Sequence, residues 1–249
     1  MHTTLKIYSV AVLLAAWVGL SLVFSEQIIP GPIPVFEAIV ENMQSGDGLF
    51  HLYKTVSRVV LGLAIAMFLG TGLGLIMGLS IKGEKFFESW VMVGLTIPAV
   101  VYAIICLLWF GLNDSAAVIA IGITAFPAVA INMWQGVKDI DMQLIAMGKA
   151  FRLPTRDLIR KIVLPQTVPY VLAATRYALG ISWKIATTVE LIGMSSGVGY
   201  MLHYWFGLFS MTQVFAWTLT FVLVLLFIEY ALINPFEKRA MAWRPAVQV

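Results

Sequence analysis

Residues 57–80, SRVVLGLAIAMFLGTGLGLIMGLS, decide what kind of fold this chain adopts. After Arg58 the stretch carries no charged side chain, and at 1.5 Å per residue a helix of this length spans a bilayer's ~30 Å apolar core. Gly70, Gly74 and Gly78 recur every four residues with Gly72 beside them. In lipid, helices associate through close van der Waals packing, so small residues at that spacing predict a second helix backbone lying against this one.

Working outward, further apolar runs fall at about 7–24, 89–110, 115–137, 169–193 and 213–234, which with 55–79 make six expected spans. The 249 residues are 60% hydrophobic and 12% charged, against about 25% charged in an ordinary soluble domain. Six spans place both termini on one side, and Lys and Arg choose it. Lys6, Lys82, Lys85, Lys138, Lys149, Arg152, Arg156, Arg160, Lys161, Lys238, Arg239 and Arg244 then share the cytoplasmic side, whereas loops 25–54, 111–114 and 194–212 hold only Lys54. The apolar stretch after Lys6 also fits a signal peptide, but no small-x-small cleavage site follows Phe24, so an uncleaved first span is expected. The expected organisation is 1–50 as first helix and outer loop, 51–240 as core, and 241–249 as a cytoplasmic tail. The basic residues follow this topology rather than one face, which argues against nucleic acid as a partner.

The one long stretch with regular charge is 139–165, DIDMQLIAMGKAFRLPTRDLIRKIVLP. Ile140, Leu144, Met147 and Phe151 fall at i, i+4, i+7 and i+11, the apolar stripe of an amphipathic helix. Pro154 breaks it, and a second short helix is expected from Thr155 to Leu164-Pro165, with Asp157 and Lys161 at ion-pair spacing. From residues alone, a hairpin on lipid headgroups and a docking knob for a soluble partner both stand.

This stretch resembles the cytoplasmic loop of binding-protein-dependent ABC importer permeases. That family's motif runs Glu-Ala-Ala, three residues, Gly, nine residues, Ile, one residue, Leu-Pro. Ile162, Leu164 and Pro165 match its end, which sets the glycine position at Arg152 and Glu-Ala-Ala at Ala146, Met147 and Gly148. The back half is kept and the front half departs. The segments at 57–80, 107–114 (LLWFGLND), 125–141 (AFPAVAINMWQGVKDID) and 190–202 (ELIGMSSGVGYML) are similar to permeases of the taurine, alkanesulfonate and nitrate group, over roughly residues 50–240.

The resemblance implies an all-α membrane protein of the type I importer permease fold, with six spans and a cytoplasmic two-helix coupling loop in a bacterial inner membrane. Two copies would form the path and two ATP-binding cassette subunits would dock on 139–165, with Pro154, Asp157 and Arg160 in the contact. A periplasmic or lipid-anchored binding protein would deliver substrate. ATP and Mg would be held by the partner ATPase, and no cofactor by this chain, which has no G-x-x-x-x-G-K-[ST] loop. The cargo expected from the resemblance is a small anion such as a sulfonate or nitrate, the alternatives being a thiamine-precursor pyrimidine or an aromatic carboxylate.

Ionisable groups inside spans are costly and face protein or water. Arg176, Lys184, Glu190 and Glu229 are such groups. Arg176 and Lys184 lie about 80° apart on a helix, so both can address an anion path, or Arg176 can snorkel and Lys184 pair with a carboxylate. Arg58 and Glu190 are expected to form a structural ion pair. Residues 197–209, GVGYMLHYWFGLF, read as an outer aromatic loop, either re-entrant or interfacial. An intramembrane enzyme lacks a Ser-His pair or H-E-x-x-H in the spans. Cys106 alone supports neither a disulfide nor a Cys-based metal site. A secondary carrier or channel is the rival class, since Pro98, Pro127 and isolated charges in spans suit those too.

Overall fold

A computed structural model describes residues 2–241, and all regular structure there is helical. Twelve α-helices follow one another: α1 His2–Val23, α2 Pro32–Gln44, α3 Asp47–Leu79, α4 Ile81–Thr96, α5 Ala99–Phe110, α6 Asp114–Lys138, α7 Met142–Ala150, α8 Thr155–Leu158, α9 Leu164–Gly193, α10 Val198–Gly207, α11 Met211–Ile228 and α12 Asn234–Ala240. Two π-helical turns, Ile159–Val163 and Glu229–Ile233, join α8 to α9 and α11 to α12 without a break. Arg244 and nearly all of the expected tail lie outside the described residues.

The spans differ from the six expected. Three helical stretches, Asp47–Leu79, Asp114–Lys138 and Met211–Ala240, are long and apolar enough to cross singly, or up to five if each of two bent pairs counts as one. The apolar part of α1, Tyr8–Val23, is shorter than a full span. The expected single span 89–110 is instead α4 and α5, bent by 94°. Pro98 explains the break. It has no N–H for the carbonyl of Gly94, four residues earlier, and the Tyr102 hydroxyl donates to that carbonyl at 3.0 Å instead. Pro127 leaves α6 continuous. The expected outer loop 25–54 contains α2, whose Pro32 sits in the first turn after Gly31 and whose Val35 and Ala38 are buried.

The chain forms two compact units, one of Met1–Thr55 with Glu190–Leu226 and the other of Val56–Val189 with Phe227–Val249. In the first, Val35 and Ala38 of α2 and Ala216 of α11 make the core, with Trp17 and Phe215 packed against it. The Trp17 indole donates to the Pro30 carbonyl at 3.0 Å, and Asn42 donates to Gln213 at 2.8 Å.

In the second unit α3 lies tightly along α6. A methyl group at Gly62 or Gly70 would come within 2.5 Å of Ile121 or Val129, one at Gly74 within 2.5 Å of Met133, and one at Gly78 would overlap Val137. Ala66, fully buried, completes a small residue every four positions from 62 to 78. Gly72 points into open space. Ala125, Val129 and Met133 of α6 also pack with Ala174 and Ala178 of α9, so α6 is the central helix of this unit.

Candidate functional site

The charged stretch folds into a knob held by its own caps. The Asp141 carboxylate accepts from the backbone N–H groups of Gln143 and Leu144 at 2.7 and 3.3 Å, capping α7. At the other end, Arg152 N donates to Lys149 O and Leu153 N to Gly148 O, at 2.9 and 3.0 Å, with Arg152 at φ 55°. These paired bonds around a left-handed residue are a Schellman stop. The position that the motif resemblance assigns to glycine is therefore the position whose backbone favours glycine, and here Arg152 occupies it. Gly148, buried, packs under Leu153, Leu158 and Ile162.

Beyond the turn, one expectation changes. Leu164-Pro165 does not end the second helix. Pro165 lacks the N–H for a regular turn, and the preceding π-helical turn, with Leu164 N donating to Ile159 O, carries the helix through into α9. Asn234-Pro235 repeats the device, with Asn234 N donating to Glu229 O. The apolar stripe of α7 is not buried: Met147 is 51% and Phe151 77% exposed. Beside it lies an apolar groove of about 580 Å³ lined by Leu144, Met147, Ile162, Leu164, Pro165 and Val168. Pro154 caps α8, and Ala146, Arg156 and Arg160 are exposed. Asp157 and Lys161 pair at 3.1 Å.

Polar ties hold the knob to the helices above it. Gln166 of α9 accepts from Asp141 N at 2.8 Å and donates to the Ile162 carbonyl at 3.0 Å. The Tyr170 hydroxyl donates to Asp139. Lys138 pairs with Glu84 at 2.6 Å, its ammonium 4.6 Å above the Trp134 ring. These contacts join the start of α7 to α9, and the end of α6 to α9 and α4.

Of the charges expected in spans, Arg176 pairs with Glu229 at 2.7 Å and Glu237 at 3.1 Å, and donates to Asn234 at 2.5 Å. That links α9 to the second π-helical turn and α12, a pairing across more than 50 residues that local spacing does not show. Arg58 and Glu190 belong to different units, and each has partners in its own. Arg58 Nε and Nη2 donate to Asp114 at 2.9 and 2.5 Å. Glu190, 1% exposed, accepts from the Thr55 hydroxyl at 2.9 Å and from Gly199 N at 3.0 Å. Thr55 in turn accepts from Val198 N, and His51 Nδ1 from Gly197 N, at 2.8 and 3.0 Å. The buried carboxylate thus caps the first turn of α10, where the sequence reading expected a loop. Nothing in local sequence marks His51 or Thr55 for this role.

Lys184 lies on the exposed side of α9, on the same face as Tyr177 and Gly180. No described residue pairs with its ammonium group.

Comparison with known proteins bears on this arrangement. Residues 70–240 match the family described as binding-protein-dependent transport system inner membrane component. The chain is 28% identical to a putative aliphatic sulfonates transport permease, SsuC, of Bacillus subtilis over 94% of this chain and 85% of that protein. It is 25% identical to the taurine transport system permease TauC of Escherichia coli over 99% and 92%. With the nitrate import permease NrtB of Synechococcus elongatus the identity is 28% over 77% and 72%. The fold is similar to that of the inward-facing MetNI methionine ABC transporter, with a TM-score of 0.65 at 16% identity over 76% of this chain and 94% of that one. An amino acid ABC transporter gives 0.61 at 21% identity over 76% and 92%. An all-helical membrane chain with a capped helix–turn–helix knob inside the matched region belongs to the binding-protein-dependent inner-membrane permeases, as a subunit of an ABC importer.

Proposed function

We propose that two copies of this chain form the path of an importer for a small anion, and that residues 139–165 receive the motor. The observation that carries the reading is the knob: an apolar stripe, Leu144, Met147 and Phe151, left exposed beside an apolar groove on a helix pair that continues into α9 and is hydrogen-bonded to it. Such a surface suits insertion into a cleft of an ATP-binding subunit, with ATP and Mg held there. Closing of two such subunits would move two knobs, and the knobs would move the helices, shifting the path between inward- and outward-facing states. The excess of Lys and Arg in loops joined to the knob supports a cytoplasmic knob, with both termini on the same side as in a six-span chain. A binding protein would then meet the opposite face.

Copurification tests this reading. Phe151→Asp and Met147→Asp change exposed side chains, so the permease should accumulate normally. Each should reduce the copurified ATP-binding subunit about tenfold or more, as expected when an apolar anchor is replaced by a charge. If the unaltered chain brings down no ATPase, the coupling reading fails and a secondary carrier or channel takes its place.

A further inference from the structure

We propose that Lys184 is the counter-charge of a small-oxyanion site on a water-facing side of α9. This rests on the reading of the chain as part of a paired translocation path and names the substrate chemistry of that path.

Depth comes first. Lys184 precedes Gly193, the last residue of α9, by nine positions and follows Pro169 by fifteen, which is about 14 Å and about 22 Å along the axis. An ammonium there lies well inside a ~30 Å apolar layer. Side chains on a helix tilt towards its N-terminus, so the lysine stem leans away from the nearer end of the span. Snorkelling to that interface is therefore disfavoured.

Neutralisation among the described residues is also missing. Glu229, an intramembrane carboxylate of the same unit, is engaged by Arg176 at 2.7 Å. Glu190 is occupied in the other unit by Thr55 and Gly199. The opposite side of α9 is spent on packing, with Leu179, Ser182 and Ala186 buried. An uncancelled cation on an exposed face inside a membrane is stable only against water or an anion. One turn below, a side chain added at Gly180 would meet nothing within 4 Å, which leaves room for a ligand beside the ammonium. A compact oxyanion such as a sulfonate, carboxylate or nitrate satisfies the charge and fits one turn of helix. A second copy would add a like charge, so the paired path would favour anions more strongly than either chain alone.

Thiol labelling in membranes holding the assembled transporter tests the site. Gly180→Cys places a thiol one turn from Lys184, and the buried Cys106 of the unaltered chain supplies the background. Two methanethiosulfonate reagents, one bearing a sulfonate and one a trimethylammonium group, are compared, each rate normalised to that with a free thiol. The sulfonate reagent should be favoured about tenfold, as a single charge some 6 Å away predicts, and Lys184→Gln should remove the preference. Equal normalised rates, or a preference for the cation, overturn the anion site while leaving a water-filled path. Failure of both reagents overturns the site and its place in a path, while docking of the ATPase on the knob remains a separate result. If Gly180→Cys does not accumulate, Tyr177→Cys, 58% exposed on the same face, is read in the same way.

Discussion

At the scale of the residue, Arg152 and Gly197 show opposite solutions to one constraint. Arg152 holds φ 55° at the end of α7, a conformation that costs a side-chain-bearing residue about 1–2 kcal/mol. Arg152→Gly should therefore stabilise the chain by about 0.5–1 kcal/mol after the looser unfolded chain is counted, and raise the midpoint of thermal unfolding. Unchanged or lower stability in detergent would show that the arginine side chain compensates. Gly197 sits at φ 111°, and a methyl group there would overlap the buried Glu190 carboxylate. Gly197→Ala should destabilise by about 3 kcal/mol or more, combining strain with overpacking. Thr55→Val, which removes both a donor to Glu190 and an acceptor for Val198, should cost about 1–3 kcal/mol in the same unfolding assay.

Among elements, the α3–α6 contact is the packing that the glycine spacing predicts. Gly74→Val puts a branched side chain into Met133 and should cost about 1–3 kcal/mol, whereas Gly72→Ala, facing open space, should be neutral or stabilising by up to about 1 kcal/mol. Folded yield and unfolding temperature measure the difference, and equal effects would refute the close approach. The four-residue spacing was legible in the sequence because glycine's small size acts at its own position. Its continuation through Gly62 and Ala66, and the partners Ile121 and Val129, were not, because they depend on which helix comes alongside. The bend at Pro98 was legible only as an interruption. Its 94° size and its relief by Tyr102 depend on a hydroxyl one turn further on.

For the whole molecule, the distribution of Lys and Arg predicts which ends face the cytoplasm. With Cys106 buried, Phe209→Cys, at an exposed residue of the expected outer side, should react with an impermeant maleimide in intact cells. Phe151→Cys, on the knob, should react only after the membrane is opened. The reverse pattern would invert the topology and remove the knob from reach of a cytoplasmic ATPase. Of the candidate residues, Ile162, Leu164 and Pro165 were legible by motif and Lys184 by its charge inside an apolar run. The Arg176–Glu229–Glu237 cluster was not, since its members are brought together by helices far apart in the chain.

By itself the sequence determined the membrane class, the helical character and the knob's position in the chain, since each follows from apolar length or periodicity that acts where it stands. Tertiary structure alone decided that the knob's second helix runs on into α9, that its apolar stripe stays uncovered, that Glu190 caps α10, and that Lys184 has no partner among the described residues. Those outcomes depend on which distant groups compete for each donor, acceptor and apolar face, and that competition is resolved only when the helices pack.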